Sequence, residues 1–501
     1  MLMSGPARSR THCTRYAIAL IAWLLAPLAG AADADLVIRN ARIISGVTPQ
    51  PTAPTDVAVA NGRIIQIGEY AEKAESEIDA NGQYLVPGLI DAHVHLRDVP
   101  GFNGDPQQHA ELLAEANRQI PRSYLYFGFT TLLDLASGPA SMQGWNEHPE
   151  APTALYCSPV TIPNGYPLAW LDEHEQFQPW NLRYMLFDER QAEKYPADFD
   201  PEQHTPTAVV DKAVADGASC IKFYFETGFG RLKDLPVPTI TLARKLVAAA
   251  HQYNLPVFLH GNAQTSYEFG MAAGVDAMAH GMWHWSDLSL DDPNGVNEFA
   301  RNVASKGIAV QPTIQVIFGE KEMFNPGFFD TPQARAAIPP ALIAWYQTDA
   351  GQWMKQELAN NFPPTDDPTA RYQQVANAYD KPINQVSTLS TAIAQHGGQL
   401  HFGSDTPSGP FYTQFPGINA RQEMDRWIEA GQSAEALFVA MTLSNARLLK
   451  MEAEIGSVEV GKQADLLLLK GNPLESVEAY DSITTVLLDG QVIEREGLGA
   501  Q

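Results

Sequence analysis

Apolar and polar positions alternate in short runs at both ends of the chain and merge into unbroken apolar blocks between them. Residues 35–85 read as brief strands, "ADLVIRNARII", "DVAVANGRIIQIG" and "SEIDANGQYLV", with Asn61-Gly62 and Asn81-Gly82 supplying tight-turn chemistry. A matching set closes the chain: "GSVEVGKQADLLLLKG" and "ITTVLLDGQVIE", turned at Asp489-Gly490. These pieces predict one small β domain, a β-sandwich, assembled from residues 32–86 and 441–501.

Between the ends, apolar strands are followed by helical stretches such as "TLARKLVAAAHQYN". The strands are "LVPGLIDAHVHL", "FTTLLDL", "TALYCSPVTI", "CIKFYF", "PVFLHG", "DAMAHG", "IAVQPTI" and "LHFGSDT". Their continuous apolar character suits strands covered on both faces. Eight strand–helix units predict an α/β fold, a (β/α)8 TIM-like barrel over residues 87–440. Residues 317–385 form an insertion between the seventh and eighth strands, with "NNFPPTDDPT" as a loop and helical pieces around it. It is expected to act as a lid or pocket wall.

The first residues change the picture of where the protein works. Arg8, Arg10 and Arg15 precede the apolar "YAIALIAWLLAPLAG", and small residues follow around Ala29, Gly30 and Ala31. A basic stretch, an apolar core and a small-residue cleavage site predict a signal peptide over 1–31 and an exported, periplasmic or secreted protein. The apolar run is shorter than the ~20 residues a membrane span needs, so no membrane association is expected after cleavage. Losing three arginines takes the formal charge from −25 to −28. An acidic chain without a basic block argues against nucleic acid as a partner and for a small-molecule substrate. Cys157 and Cys220 lack Cys-x-x-Cys spacing and are expected to be small core residues rather than a disulfide.

Chemistry collects at the C-terminal ends of the predicted strands. His93 and His95 follow the first, Lys222 lies in the fourth, and His260, His280 and Asp405 end the fifth, sixth and eighth. Residues i and i+2 of a strand share a face, so His93 and His95 converge. In a barrel of this kind, strand ends surround one axial point. A lysine buried there is costly unless paired or modified. Four histidines, an aspartate and an inward lysine therefore point to a metal centre.

The motifs "VPGLIDAHVHL", "GFTTLLDL", "GASCIKFY", "VFLHGNAQ", "AGVDAMAHG", "FGSDT" and "GSVEVGKQADLLLL" with "NPL" resemble those of the amidohydrolase superfamily, in its prolidase-like and imidazolonepropionase-like branch. The resemblance covers residues 35–315 and 395–495. It implies that His93, His95 and Asp405 hold one divalent ion and His260 and His280 a second, with N-carboxylated Lys222 bridging them. Imidazole and carboxylate donors suit Zn2+ best, with Mn2+, Co2+ or Fe2+ as alternatives. The implied reaction is cleavage of amide, cyclic amide or peptide-like C–N bonds, including Xaa-Pro dipeptides, by a metal-activated hydroxide, with Asp405 shuttling the proton.

Tyr166 in "PNGYP" stands where relatives carry a Gly-Gly-His-like turn, and Tyr166, Tyr224 and Arg231 are the substrate-binding candidates. A lactonase or phosphotriesterase on the same centre, and a non-catalytic exported metal- or solute-binding protein, are the competing readings. A proton shuttle above an open water site disfavours the last. Relatives are often oligomeric, which leaves a homo-oligomer open.

Overall fold

The computed structural model describes residues 34–96, 99–230 and 232–501. The expected signal peptide and Arg231 lie outside these described residues.

Five strands open the chain: β1 (Ala34–Ile43), β2 (Thr55–Ala60), β3 (Arg63–Ile67), β4 (Ala74–Asp79) and β5 (Tyr84–Pro87). Asn61-Gly62 takes positive φ at both residues, 51° and 71°, as the two-residue turn between β2 and β3 requires. Eight parallel strands follow in chain order: β6 (Leu89–Val94), β7 (Phe129–Asp134), β8 (Thr153–Val160), β9 (Cys220–Tyr224), β10 (Val257–His260), β11 (Ala277–Met278), β12 (Ala309–Val310) and β13 (Gln399–Leu400). The chain ends with β14 (Leu466–Leu469), β15 (Ile483–Leu488) and β16 (Gln491–Glu494).

The terminal strands form one mixed sheet in the order β16-β15-β14-β5-β1-β2-β3, with β4 also paired to β1. Antiparallel pairing of β14 with β5, Leu466 against Pro87 and Leu469 against Tyr84, joins the two ends of the chain. Leu36, Ile38, Val57, Val59, Leu85, Leu466, Leu468 and Leu487 meet in its core. The sheet resumes only at Leu466. The helical stretch before it, from Ala434 through Leu448, packs on the parallel strands instead.

The parallel strands run β6 to β13 without interruption. Beyond β13 the backbone returns to β6: Asp405 N donates to His93 O at 2.7 Å and His95 N donates to Thr406 O at 2.7 Å. Asn445 fastens this seam from below, its Nδ2 donating to Ile90 O at 2.9 Å and to Phe402 O at 2.8 Å. The seam brings the first and last strand ends together, and with them His93, His95 and Asp405.

Two findings depart from or fill in the sequence reading. Cys157 and Cys220 are fully buried in the core as expected, but they form a disulfide. The correction has a simple cause. Parallel pairing of β8 with β9 sets Cys157 directly opposite Cys220, with Cα atoms 4.4 Å apart, which spacing along the chain does not reveal. The insertion is helical, with helices Pro332–Ala337, Pro340–Tyr346 and Trp353–Ala359 leading into Pro368–Gln395. It is clamped on the side where the strands end: Trp353 Nε1 donates to Gly101 O at 2.9 Å, and Tyr412 Oη donates to Met323 O at 2.9 Å. Among the described residues no helix is long and apolar enough to cross a membrane.

Candidate metal centre

Extended backbone at the end of β6 turns His93 and His95 to one face. Asp405 meets them from across the seam with φ 54°, a left-handed conformation uncommon outside glycine. Its Oδ1 lies 3.2 Å from His93 Nε2 and 3.0 Å from His95 Nε2. One donor atom from each of the three residues lies within 4.8 Å of the others. Asp405 Oδ2 is 3.7 Å from His280 Nδ1, and His280 Nε2 is 2.9 Å from His260 Nδ1. Five of the six predicted ligands are thus linked by contacts. Lys222, buried on β9, is within electrostatic reach of Asp405 and Asp134.

Burial sets the charge states. It pushes the Asp405 carboxyl up, but His93, His95 and His280 outweigh that and hold it well below the usual carboxylate range. Burial pulls His93 down to about 3 against the opposing pull of Asp405, and it lowers His260 and His280 as well. Neutral imidazoles around one carboxylate are the ligand form of these groups. Burial also pulls the Lys222 amine down to about 7, with Asp405 and Asp134 acting against it. Burial thus favours the free amine, the form that adds carbon dioxide to give a carbamate.

The donor set fits a cation on structural grounds. Both ring nitrogens of His93, and Nε2 of His260, are buried without an aligned hydrogen bond among the described residues. Buried polar atoms are normally satisfied, and convergent unsatisfied imidazoles are the arrangement a divalent ion completes.

Sequence reasoning left several supporting residues unassigned. Asp134, the last residue of β7, sits 3.7 Å from His95 Nδ1 through Oδ1 and accepts from Leu96 N at 2.8 Å and Ala136 N at 2.9 Å. Its signal was a carboxylate ending the second apolar run. Glu226, just past β9, lies 3.6 Å from His260 Nε2. Thr313, at φ 43°, places Oγ1 3.2 Å from His280 Nδ1. A β-branched residue in that region is strained by ~1–3 kcal/mol and persists only where its surroundings impose it. Asp91 lies beneath His93, accepting from Ser404 N at 3.0 Å and His93 N at 3.1 Å.

The substrate candidates divide. The Tyr166 ring stacks on His260, centroids 4.5 Å apart and planes 23° apart, and the Tyr224 ring is 5.9 Å from the same histidine. Both stand at the edge of the centre. Arg231 is not among the described residues.

Comparison with known proteins places these features in context. A family profile described as "Amidohydrolase family" matches residues 366–494. An adenine deaminase of Bacillus pumilus (strain SAFR-032) is 52% identical over 63 residues, 13% of this chain and 10% of that protein. An adenine deaminase of Listeria welshimeri is 48% identical over 70 residues, 14% of this chain and 12% of that protein. The matched stretch thus spans about a tenth of the length of these curated relatives.

Similarity in three dimensions extends over nearly the whole chain. The crystal structure of a Xaa-Pro dipeptidase with methionine bound in its active site superposes with a TM-score of 0.61 at 21% identity, covering 92% of this chain and 99% of that one. An ochratoxinase from A. niger gives 0.62 at 17% identity, covering 93% and 98%. At these identities the shared property is the fold.

Proposed function

Taking as premise that the chain belongs to the amidohydrolase superfamily, we propose that it is an exported metal-dependent hydrolase of C–N bonds. Its substrates are amides, cyclic amides or short peptides, with Xaa-Pro dipeptides as the first class to test. The observation that carries this reading is the meeting of His93, His95 and His280 around the single ionised carboxylate of Asp405.

His93, His95 and Asp405 would hold one divalent ion, and His260 and His280 a second, with carboxylated Lys222 between them. Zn2+ suits these donors best. Bound ions of this kind activate water and polarise a carbonyl. The protein's own part is positional and protic. Asp405 Oδ1 is engaged by two imidazoles at 3.2 and 3.0 Å, whereas the contact of Oδ2 among the described residues is the longer one, to His280 Nδ1 at 3.7 Å. Oδ2 is therefore the atom to take a proton from the attacking water and return it to the leaving nitrogen. The helical insertion, held against the loops after β6 and β13, forms the outer wall that keeps bulk water from the reacting atoms.

Export draws support from the Cys157–Cys220 bridge, since disulfides persist in oxidising compartments. The dipeptidase reading draws support from the Xaa-Pro dipeptidase among the similar folds. The test is a panel of Xaa-Pro dipeptides, N-acyl amino acids, cyclic amides, lactones and phosphotriesters, offered to metal-free and Zn2+-loaded protein. Metal-dependent release of an amine or amino acid is expected. Turnover confined to lactones or phosphotriesters, or equal turnover without metal, refutes it.

A further inference from the structure

We infer that Glu226 is a positioning residue, which turns His260 so that Nδ1, rather than Nε2, faces the second cation position. The inference rests on the metal reading above and concerns a residue outside the predicted ligand set.

The two nitrogens of His260 have different surroundings. Nδ1 is 2.9 Å from His280 Nε2, so it points at the position both histidines share. Nε2 points away, buried and without an aligned hydrogen bond, and the nearest anion is Glu226 Oε2 at 3.6 Å. A histidine that ligates through one nitrogen ordinarily gives the proton on the other to a carboxylate or carbonyl, which fixes tautomer and ring orientation.

Glu226 is built for that task. Lys222, Tyr224 and Glu226 follow at two-residue intervals along and just beyond β9, and Phe225 N still donates to His260 O at 2.9 Å. The carboxylate is 7% exposed. Its Oε1 accepts from Gly228 N at 2.8 Å, which leaves Oε2 for the imidazole. Gly228 has φ 116°, and a Cβ there would meet Leu232 O at 2.5 Å, so the turn that presents this N–H requires glycine. Tyr166 closes the arrangement by stacking on the ring face at 4.5 Å. The tyrosine fixes the tilt of the imidazole and the glutamate fixes its rotation.

The test uses Glu226→Ala, Glu226→Gln and Glu226→Asp beside the wild type. Zn2+ binding to metal-free protein is followed by calorimetry and by metal analysis. In Glu226→Ala, the weaker of two binding events should lose about 10- to 100-fold in affinity while the tighter one is unchanged. Glu226→Gln, which keeps shape and can still accept a hydrogen bond, should fall between.

An independent readout needs no metal. Nitrogen NMR of histidine-labelled metal-free protein should show His260 protonated at Nε2 in the wild type, with that preference lost in Glu226→Ala and kept in Glu226→Asp. An unchanged tautomer and unchanged Zn2+ affinity in both Glu226→Ala and Glu226→Gln overturn the inference. A wild type that takes up no Zn2+ overturns the functional reading instead, and the NMR comparison still decides whether Glu226 orients His260.

Discussion

The two halves of the centre are held in different ways. His93, His95 and Asp405 converge on one carboxylate oxygen because two backbone hydrogen bonds, both 2.7 Å, lace the first and last strands together beside them. His260 and His280 face each other at 2.9 Å with no carboxylate between them, and Lys222 approaches from β9 above the Cys157–Cys220 bridge. The first half is preorganised by backbone and already holds its own anion, the ionised Asp405. The second half lacks an anion at its centre, and a carbamate on Lys222 would supply one. Ligand affinity in the first half should therefore follow the seam, and in the second half the chemistry of one lysine.

The largest expected effect comes from the group the two halves share. Asp405→Asn should lower kcat by about 10^2- to 10^4-fold, the range of a lost general acid–base, while metal analysis finds the ions largely retained. A near-normal rate would remove Asp405 from the reaction.

Lys222→Met should abolish binding of one of the two ions and leave the other. In the wild type, added bicarbonate should raise uptake of that same ion, and in the variant it should have no effect. Bicarbonate-independent uptake by wild type and variant alike would erase the distinction between the halves.

Two further substitutions act on the scaffolds separately. Replacing Cys157 and Cys220 together by alanine should lower unfolding free energy by about 2–4 kcal/mol in denaturant titrations and weaken chiefly the ion tied to Lys222. Asn445→Ala removes two buried hydrogen bonds, to Ile90 O and Phe402 O, and should cost about 2 kcal/mol, weakening chiefly the ion at His93 and His95. Equal losses at both ions in both variants would show that the centre responds as a unit.

The smallest effect concerns pH. Burial pushes the Glu423 carboxyl up to about 8, against the hydrogen bonds it receives from Gln315 N at 2.6 Å and Trp427 Nε1 at 3.0 Å. The folded state then holds this proton more tightly than the unfolded chain. Its contribution to stability is fully present below the ordinary glutamate range, near 4.5, and is lost as pH rises to about 8. In metal-free protein, Tm should fall across that window, and Glu423→Gln should flatten the slope. Because Gln315 lies two residues past Thr313, which contacts His280, this tests the support of the second half alone.

Much of this arrangement was legible in the sequence. The eight apolar runs are the eight parallel strands in order, and the six residues at their ends include the five that contact one another. Their identity and same-face spacing depend only on neighbours in the chain, which a sequence displays directly. The resemblance carried by the motifs assigned roles that periodicity alone could not.

Tertiary structure decided the rest. Cys157 and Cys220 are 63 residues apart, and only the register of β8 against β9 makes them partners. Glu226 and Asp134 were visible as acidic residues at strand ends, but which imidazole nitrogen each faces depends on how neighbouring strands stagger. The insertion's place over the strand ends depends on docking bonds from Trp353 to Gly101 and from Tyr412 to Met323, between segments distant along the chain. Local periodicity fixes what a residue is and which face it shares. Contacts between remote segments are settled by register and packing, which exist only once the chain has folded.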